Sequence, residues 1–213
     1  MIDFSPIARG YDMRNRMMTG ALDVLWRRRA VALVPSALRI LDLACGTGDM
    51  CVALGRRFPS AETRGLDVSG AMLEAARRKC PGVSFVEGDV LAVPWGEPDV
   101  VTCAFGFRNF PDKDGVLAKA AEVIRPGGHL LVLELWRPNC RAVGAVVSAW
   151  LRVFALLFAG RRRAEYAYLR RSIGETWSAD EFADHAAAAG FSIARRLNFF
   201  PAATAVLLER RFQ

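Results

Sequence analysis

The feature that most restricts how this chain can fold is an alternation. From residue 37 to residue 135, short continuous apolar runs take turns with stretches of helical spacing. ALRILDLA (37–44), ETRGLDV (62–68), VSFVEGD (83–89), DVVTCAFGF (99–107) and GHLLVLEL (128–135) read as buried strands. DMCVALGRRF (49–58), GAMLEAARRKC (70–80) and DKDGVLAKAAEVI (112–124) read as helices between them, the second capped by Ser69. Strands and helices in this order imply βαβ units, right-handed crossovers and a parallel sheet. The end of the chain departs from the pattern. SADEFADHAAAAGF (178–191) reads as a capped helix ended by Gly190, and SIARRLNF and ATAVLLER follow with only a short turn at Phe200-Pro201. Two strands so joined must be antiparallel, because a parallel pair needs a crossover. Residues 1–36 form a helical N-terminal cap in this reading, and 137–177 a helical lid inserted before the last helix.

The chemistry concentrates in LDLACGTGD (41–49). Gly46 and Gly48 allow a sharp turn and a close approach of backbone to a ligand. The helix that follows presents free N–H groups. Asp67 ends the second strand 21 residues after Gly46, a spacing suited to a carboxylate that accepts hydrogen bonds from ribose hydroxyls. A dinucleotide fingerprint would place a third glycine where Cys51 stands, so the turn favours S-adenosylmethionine over a pyrophosphate cofactor. Asp89, at the end of the third strand, suits an exocyclic adenine amine. Asp42 and Asp49 flank the turn, and Asp49 suits either the methionine ammonium or the helix N-terminus. A parallel sheet closed by an antiparallel hairpin resembles the class I methyltransferase fold: α/β, Rossmann-like, with a mostly parallel seven-stranded sheet.

Composition narrows the class further. A length of 213 residues, 53% of them hydrophobic, fits a single domain spanning 1–213 with its cap and lid. The net charge of +7 rests almost wholly on arginine, since Lys79, Lys113 and Lys119 are the only lysines. Charge alone suits nucleic acid, an anionic membrane surface or an acidic substrate equally. The absence of an NPPY-like base-flipping motif and of an appended recognition domain argues against nucleic acid. Five cysteines without a CxxC pair, and two histidines without HExxH, indicate neither a disulfide framework nor a metal site. The opening residues lack the order of a signal peptide, so a cytoplasmic location is expected.

The chain resembles the C-methyltransferases of menaquinone and ubiquinone biosynthesis. The resemblance rests on YDMRNRMMTGALDVLW, with Tyr11, Asp12, Asn15 and Trp26 in family positions, on FGFRN (105–109), on RPGGHLLVLE (125–134) and on RRSI (170–173). It implies cofactor contacts at Thr47, Asp67, Asp89 and Val90, within a pocket that also includes Asp42, Cys45, Gly46, Gly48, Val68 and Ala104. The chain departs from the family's usual methionine, serine and histidine at Arg14, Thr19 and Asp23, and from serine at Trp136 and Ala104.

The implied reaction is C-methylation of a polyprenyl quinol, with demethylmenaquinol favoured because the chain carries no organellar extension. A benzoquinol, another small-molecule acceptor and a non-catalytic cofactor-binding scaffold stand as alternatives. Loss of a phenolic proton would push charge onto the ring carbon, and Arg108 is expected to stabilise that phenolate while Asn109 and Tyr11 hold the quinol oxygens. Both histidines read as structural. AVGAVVSAWLRVFALLFAG (142–160) approaches the length of a membrane span, but Arg152 interrupts it. It reads as a lid that packs on the core, or that also rests on an anionic membrane surface through Arg161–Arg163.

Overall fold

The computed structural model describes residues 12, 13, 16, 19–158, 163–199 and 203–212. Five strands run in the order the apolar segments predict: β1 (Arg39–Leu43), β2 (Glu62–Asp67), β3 (Ser84–Glu87), β4 (Val100–Ala104) and β5 (His129–Leu135). Helices α2 (Asp49–Arg57), α3 (Gly70–Lys79) and α4 (Lys113–Val123) cross between them, and α1 (Leu22–Val31) precedes them. The insertion supplies α5 (Arg141–Phe158) and α6 (Arg163–Glu175). Then α7 (Ala179–Ala188) leads into β6 (Phe191–Phe199) and β7 (Ala203–Arg210). The turn at Phe200-Pro201 lies outside the described residues.

The sheet order is β3-β2-β1-β4-β5-β7-β6. Strands β1 to β5 are parallel, whereas β7 pairs antiparallel with both β5 and β6. The sequence therefore leaves β1 toward β2 on one side and returns to β4 on the other. That reversal opens a crevice at the carboxyl ends of β1 and β4, where ligands bind in sheets of this type.

Each face of the sheet is covered. On one, α1 and α2 pack Trp26, Ala30, Met50 and Leu54 against Leu131 and Leu133, and the insertion adds Val147, Leu169 and Ile173. On the other, α4 and α7 bury Val116, Leu117, Phe182 and Ala186 around Phe107. Cys45, Cys51 and Cys80 join Leu73 in a third cluster beneath the glycine turn, where burial makes thiols behave as small apolar groups.

Most element boundaries fall within three residues of those the sequence suggests, and the ends of the elements show how each is stopped. Ser69 occupies the N-cap position of α3 without a side-chain bond to the helix. In its place the Asp67 carboxylate accepts the Ser69 N–H. Helix α4 is capped by Asp112, whose Oδ1 accepts from the Gly115 N–H at 2.7 Å, and α7 carries a full capping box between Ser178 and Glu181. β3 stops at Glu87, so Asp89 belongs to the loop beyond it. β4 ends at Ala104 because Phe105 adopts φ 62°, and Phe107–Asn109 then form a single 3-10 turn.

Candidate active site

The crevice floor is backbone. Ala44 (φ 49°) and Phe105 (φ 62°) end β1 and β4 in the left-handed region, which non-glycine residues rarely adopt and which costs about 1–3 kcal/mol each. Gly106 packs against this floor so closely that a Cβ would stand 2.5 Å from the Ala44 Cβ. Gly46 (φ 54°) and Gly48 (φ 84°) make the turn into α2, as the GxG spacing predicts. Cys51, in the place of a third glycine, is buried and donates to Asp42 Oδ2 at 3.5 Å.

Two adjoining cavities open above this floor. The smaller, of about 90 Å³, is lined by Asp42, Gly46, Thr47, Asp49, Asp67 and Arg27 among others. The larger, of about 240 Å³, is lined by Val68, Asp89, Val90, Leu91, Phe110 and Val116 among others. Ala44, Asp67, Gly106 and Asn109 border both, so the two form one cleft. The loop below Val90 is braced from behind, because its carbonyl accepts from Trp95 Nε1 (2.8 Å) and Lys119 Nζ (3.0 Å).

The acids of the cleft differ in their surroundings. Asp67 Oδ2 accepts the Gly46 N–H at 2.8 Å and Oδ1 the Ser69 N–H at 2.9 Å, which ties the glycine turn to the end of β2. Burial raises its pKa, against the opposing effect of those backbone donors. Asp42 is wholly buried, with Thr102 Oγ1 donating to its Oδ1 at 2.6 Å. Burial lifts its pKa to about 7, opposed by the Thr102 and Cys51 bonds and by the charge of Arg27. Asp49 goes the other way. Burial would raise its pKa, but a hydrogen bond from Lys79 Nζ (2.6 Å) and the charges of Arg27, Lys79 and Arg16 outweigh it.

Lys79, from the last turn of α3, also donates to Asp12 Oδ2 at 2.5 Å and to Thr47 Oγ1 at 3.3 Å. Thr47 in turn donates to Asp12 Oδ1. This knot ties Asp12 to the glycine turn and to the end of α3. Tyr11, Arg14 and Asn15 lie outside the described residues.

Of the other residues singled out from sequence, Asp42, Cys45, Gly46, Thr47, Asp67, Val68, Asp89, Val90, Ala104 and Asn109 all line the cleft. Gly48 sets the turn beneath it, against Ala76. Asn109 Oδ1 accepts from the Tyr168 hydroxyl at 2.9 Å, so α6 reaches the rim of the site. Arg108 is placed differently. Its Nη1 donates to Glu134 Oε1 at 2.5 Å and to the Phe105 carbonyl at 2.8 Å, while its backbone N–H donates to Glu134 Oε2. The Glu134 carboxylate is wholly buried. Trp136 is buried in the core, packed at a tilt against Phe182 with ring centroids 4.7 Å apart and donating Nε1–H to the Thr204 carbonyl. His129 begins β5, at the end of the sheet away from the cleft. His185 stacks on Trp177 and pairs with Asp114.

Sequence reading passed over Arg27, Lys79, Glu134 and Tyr168. For Arg27 a signal was present: Thr19, Asp23 and Arg27 recur at four-residue intervals, a polar row on the same helical face as Trp26 and Ala30. Lys79 and Glu134 reach their partners only through tertiary packing, which spacing along the chain does not reveal.

Comparison with known proteins agrees with this geometry. The model of the ubiE/COQ5 methyltransferase family matches residues 2–208. A demethylmenaquinone methyltransferase of Thermus thermophilus is 43% identical, covering 92% of this chain and 94% of its own length. A protein of the same name from Thermotoga maritima is 36% identical, covering 94% and 91%. Among solved structures, the putative methyltransferase in complex with the Haloferax volcanii Trm112 activator superimposes with a TM-score of 0.70 at 17% identity, covering 99% of this chain and 95% of that one. Human N-acetylserotonin methyltransferase in complex with SAM gives 0.64 at 18%, covering 98% and 59%. Such distant structures speak to the fold, whereas the family match and the curated relatives speak to descent: the chain belongs to the ubiE/COQ5 methyltransferase family.

Proposed function

We propose that this protein is an S-adenosylmethionine-dependent C-methyltransferase of a polyprenyl quinol, and that it converts demethylmenaquinol to menaquinol. The observation that carries the reading is the cleft itself: a glycine turn and a buried carboxylate, joined by the Gly46–Asp67 bond, in a chain 43% identical to a demethylmenaquinone methyltransferase. The residues fit the cofactor. Gly46, Thr47 and Asp49 surround the smaller cavity, where the amino-acid portion would lie, and Asp67 stands where the two cavities meet, within reach of ribose hydroxyls. The larger cavity, walled by Val68, Val90, Leu91 and Phe110, suits a flat base, with Asp89 at its edge for the amine. When bound, the cofactor supplies an electrophilic methyl group on a sulfonium.

This chain's residues then hold the acceptor. Asn109, bordering both cavities and fixed by Tyr168, is placed to orient a quinol oxygen. Arg108 is neutralised by Glu134 and clasps the Phe105 carbonyl, so we assign it the positioning of the strained Phe105 turn rather than a direct contact with phenolate. Tyr11 is assigned to the second oxygen on the strength of the family resemblance alone. Rate acceleration comes from near-attack placement of the two reactants in the cleft.

We further read residues 1–213 as a single domain whose lid rests on the anionic surface at the inner face of the membrane. No helix among the described residues is long and apolar enough to cross a bilayer. Val143, Val146 and Val153 on α5 are about half exposed while Val147 is buried, which leaves an apolar face outward. Arg161 and Arg162 lie outside the described residues. Incubation with methyl-labelled cofactor and short-chain demethylmenaquinol or demethoxy-type benzoquinol analogues tests the assignment. Label in the naphthoquinol product supports it, label in the benzoquinol alone redirects it, and label in neither refutes it.

A further inference from the structure

Arg27 has no part in the roles assigned above, yet the fold holds it firmly. It lies on α1 one turn beyond Asp23 and two beyond Thr19, and all three are buried. Thr19 Oγ1 donates to Asp23 Oδ1 at 2.9 Å, and Arg27 Nη1 donates to Asp23 Oδ2 at 2.6 Å and to the Asp23 carbonyl at 3.2 Å. The guanidinium carbon sits 5.0 Å from the centroid of the Phe105 ring. Its Nε–H is buried without a hydrogen-bond partner. An arginine keeps its charge and carries five donors, so the guanidinium on the cavity wall still has N–H groups to offer an anion.

The cavity that Arg27 lines is otherwise acidic: Asp42, Asp49 and Asp67 border it, and Arg27 is the one basic residue among its described lining. S-adenosylmethionine carries two positive groups, the ammonium and the sulfonium, and a single negative one, the α-carboxylate. Carboxyl side chains suit the first two and offer the third no partner. We propose that Arg27 receives the α-carboxylate of the cofactor, its guanidinium aimed by Thr19 and Asp23. The assignment rests on the cofactor reading above and adds to it the residue that distinguishes the amino-acid end of the ligand. In this arrangement Asp23 is a positioning residue and Arg27 the contact.

The test uses calorimetry with S-adenosylmethionine and with decarboxylated S-adenosylmethionine, which differ only in that carboxylate. Wild type should prefer the carboxylated ligand by about ten- to a hundredfold, the scale of charge-assisted hydrogen bonds. Arg27→Gln should bind both ligands with nearly equal affinity, and its affinity for the decarboxylated one should stay near that of wild type. Should that variant fail to fold, Asp23→Leu/Arg27→Met removes both members of the pair, leaving no lone buried charge, and carries the same expectation. Equal loss of both ligands would mean that Arg27 only neutralises the aspartates, and would overturn the proposal. So would a wild type that takes up both equally. A wild type that takes up neither fails at the cofactor reading itself, which separates the two conclusions.

Discussion

Replacing Asp42 with asparagine should change how stability depends on pH, and the size of the change follows from the structure. The Asp42 side chain is buried on β1, between the neighbouring strands β2 and β4, and its pKa is raised from 3.8 to about 7, mainly by burial. The native state therefore holds a proton that the unfolded chain releases between pH 3.8 and pH 7. Stability falls as pH rises through that window and levels off above it. The full penalty is on the order of 4 kcal/mol, of which roughly 2–3 kcal/mol accrues between pH 5 and pH 8. Asparagine keeps an oxygen for Thr102 and carries no charge, so it escapes the penalty. Urea unfolding of wild type and Asp42→Asn at both pH values isolates the term, because other titrating groups cancel in the difference. The variant should gain roughly 2–3 kcal/mol on wild type from pH 5 to pH 8. A difference that stays constant with pH, or moves the other way, would refute the argument that this carboxylate is charged only at a cost.

Other perturbations address other parts of the account. Gly106→Ala places a Cβ 2.5 Å from the Ala44 Cβ and should destabilise by about 1–3 kcal/mol in urea melts while weakening cofactor uptake. Trp136→Ala empties the space beside Phe107 and Phe182 and should cost about 3–5 kcal/mol, yet leave KM for the cofactor near that of wild type at a temperature where the fold holds. Tyr168→Phe frees Asn109 without opening a cavity. Steady-state kinetics should show the loss, of about tenfold, in the acceptor's kcat/KM, with cofactor affinity unchanged.

Much of the fold was legible because its elements are locally consistent. Continuous apolar runs marked β1, β4 and β5, which are buried on both faces, and the short link between β6 and β7 forced an antiparallel pair. The glycine turn was legible for a different reason: positive φ at Gly46 and Gly48 leaves a residue signature, and Asp67 follows at the spacing of one βαβ unit. Less visible was what the side chains do once the elements meet. FGFRN marked the Phe107–Asn109 turn as functional, but not that Arg108 would be claimed by Glu134 on a neighbouring strand, 26 residues away. Trp136 stood out as a departure just after the fifth strand, yet it packs in the core with Phe182. Thr19 and Asp23, also departures, prove to form one hydrogen-bonded row with Arg27, whose four-residue spacing was there to be read but whose place on the cleft was not.

The claim on which the rest depends is that the end of β2 grips the cofactor's sugar beside the glycine turn. Titrating the protein and its Asp67→Ala variant with S-adenosylmethionine in a calorimeter tests it. Saturable uptake by wild type, weakened at least tenfold in the variant while its melting curve stays cooperative, is the expected result. Equal affinity in the two proteins, or no uptake by wild type, would contradict the account.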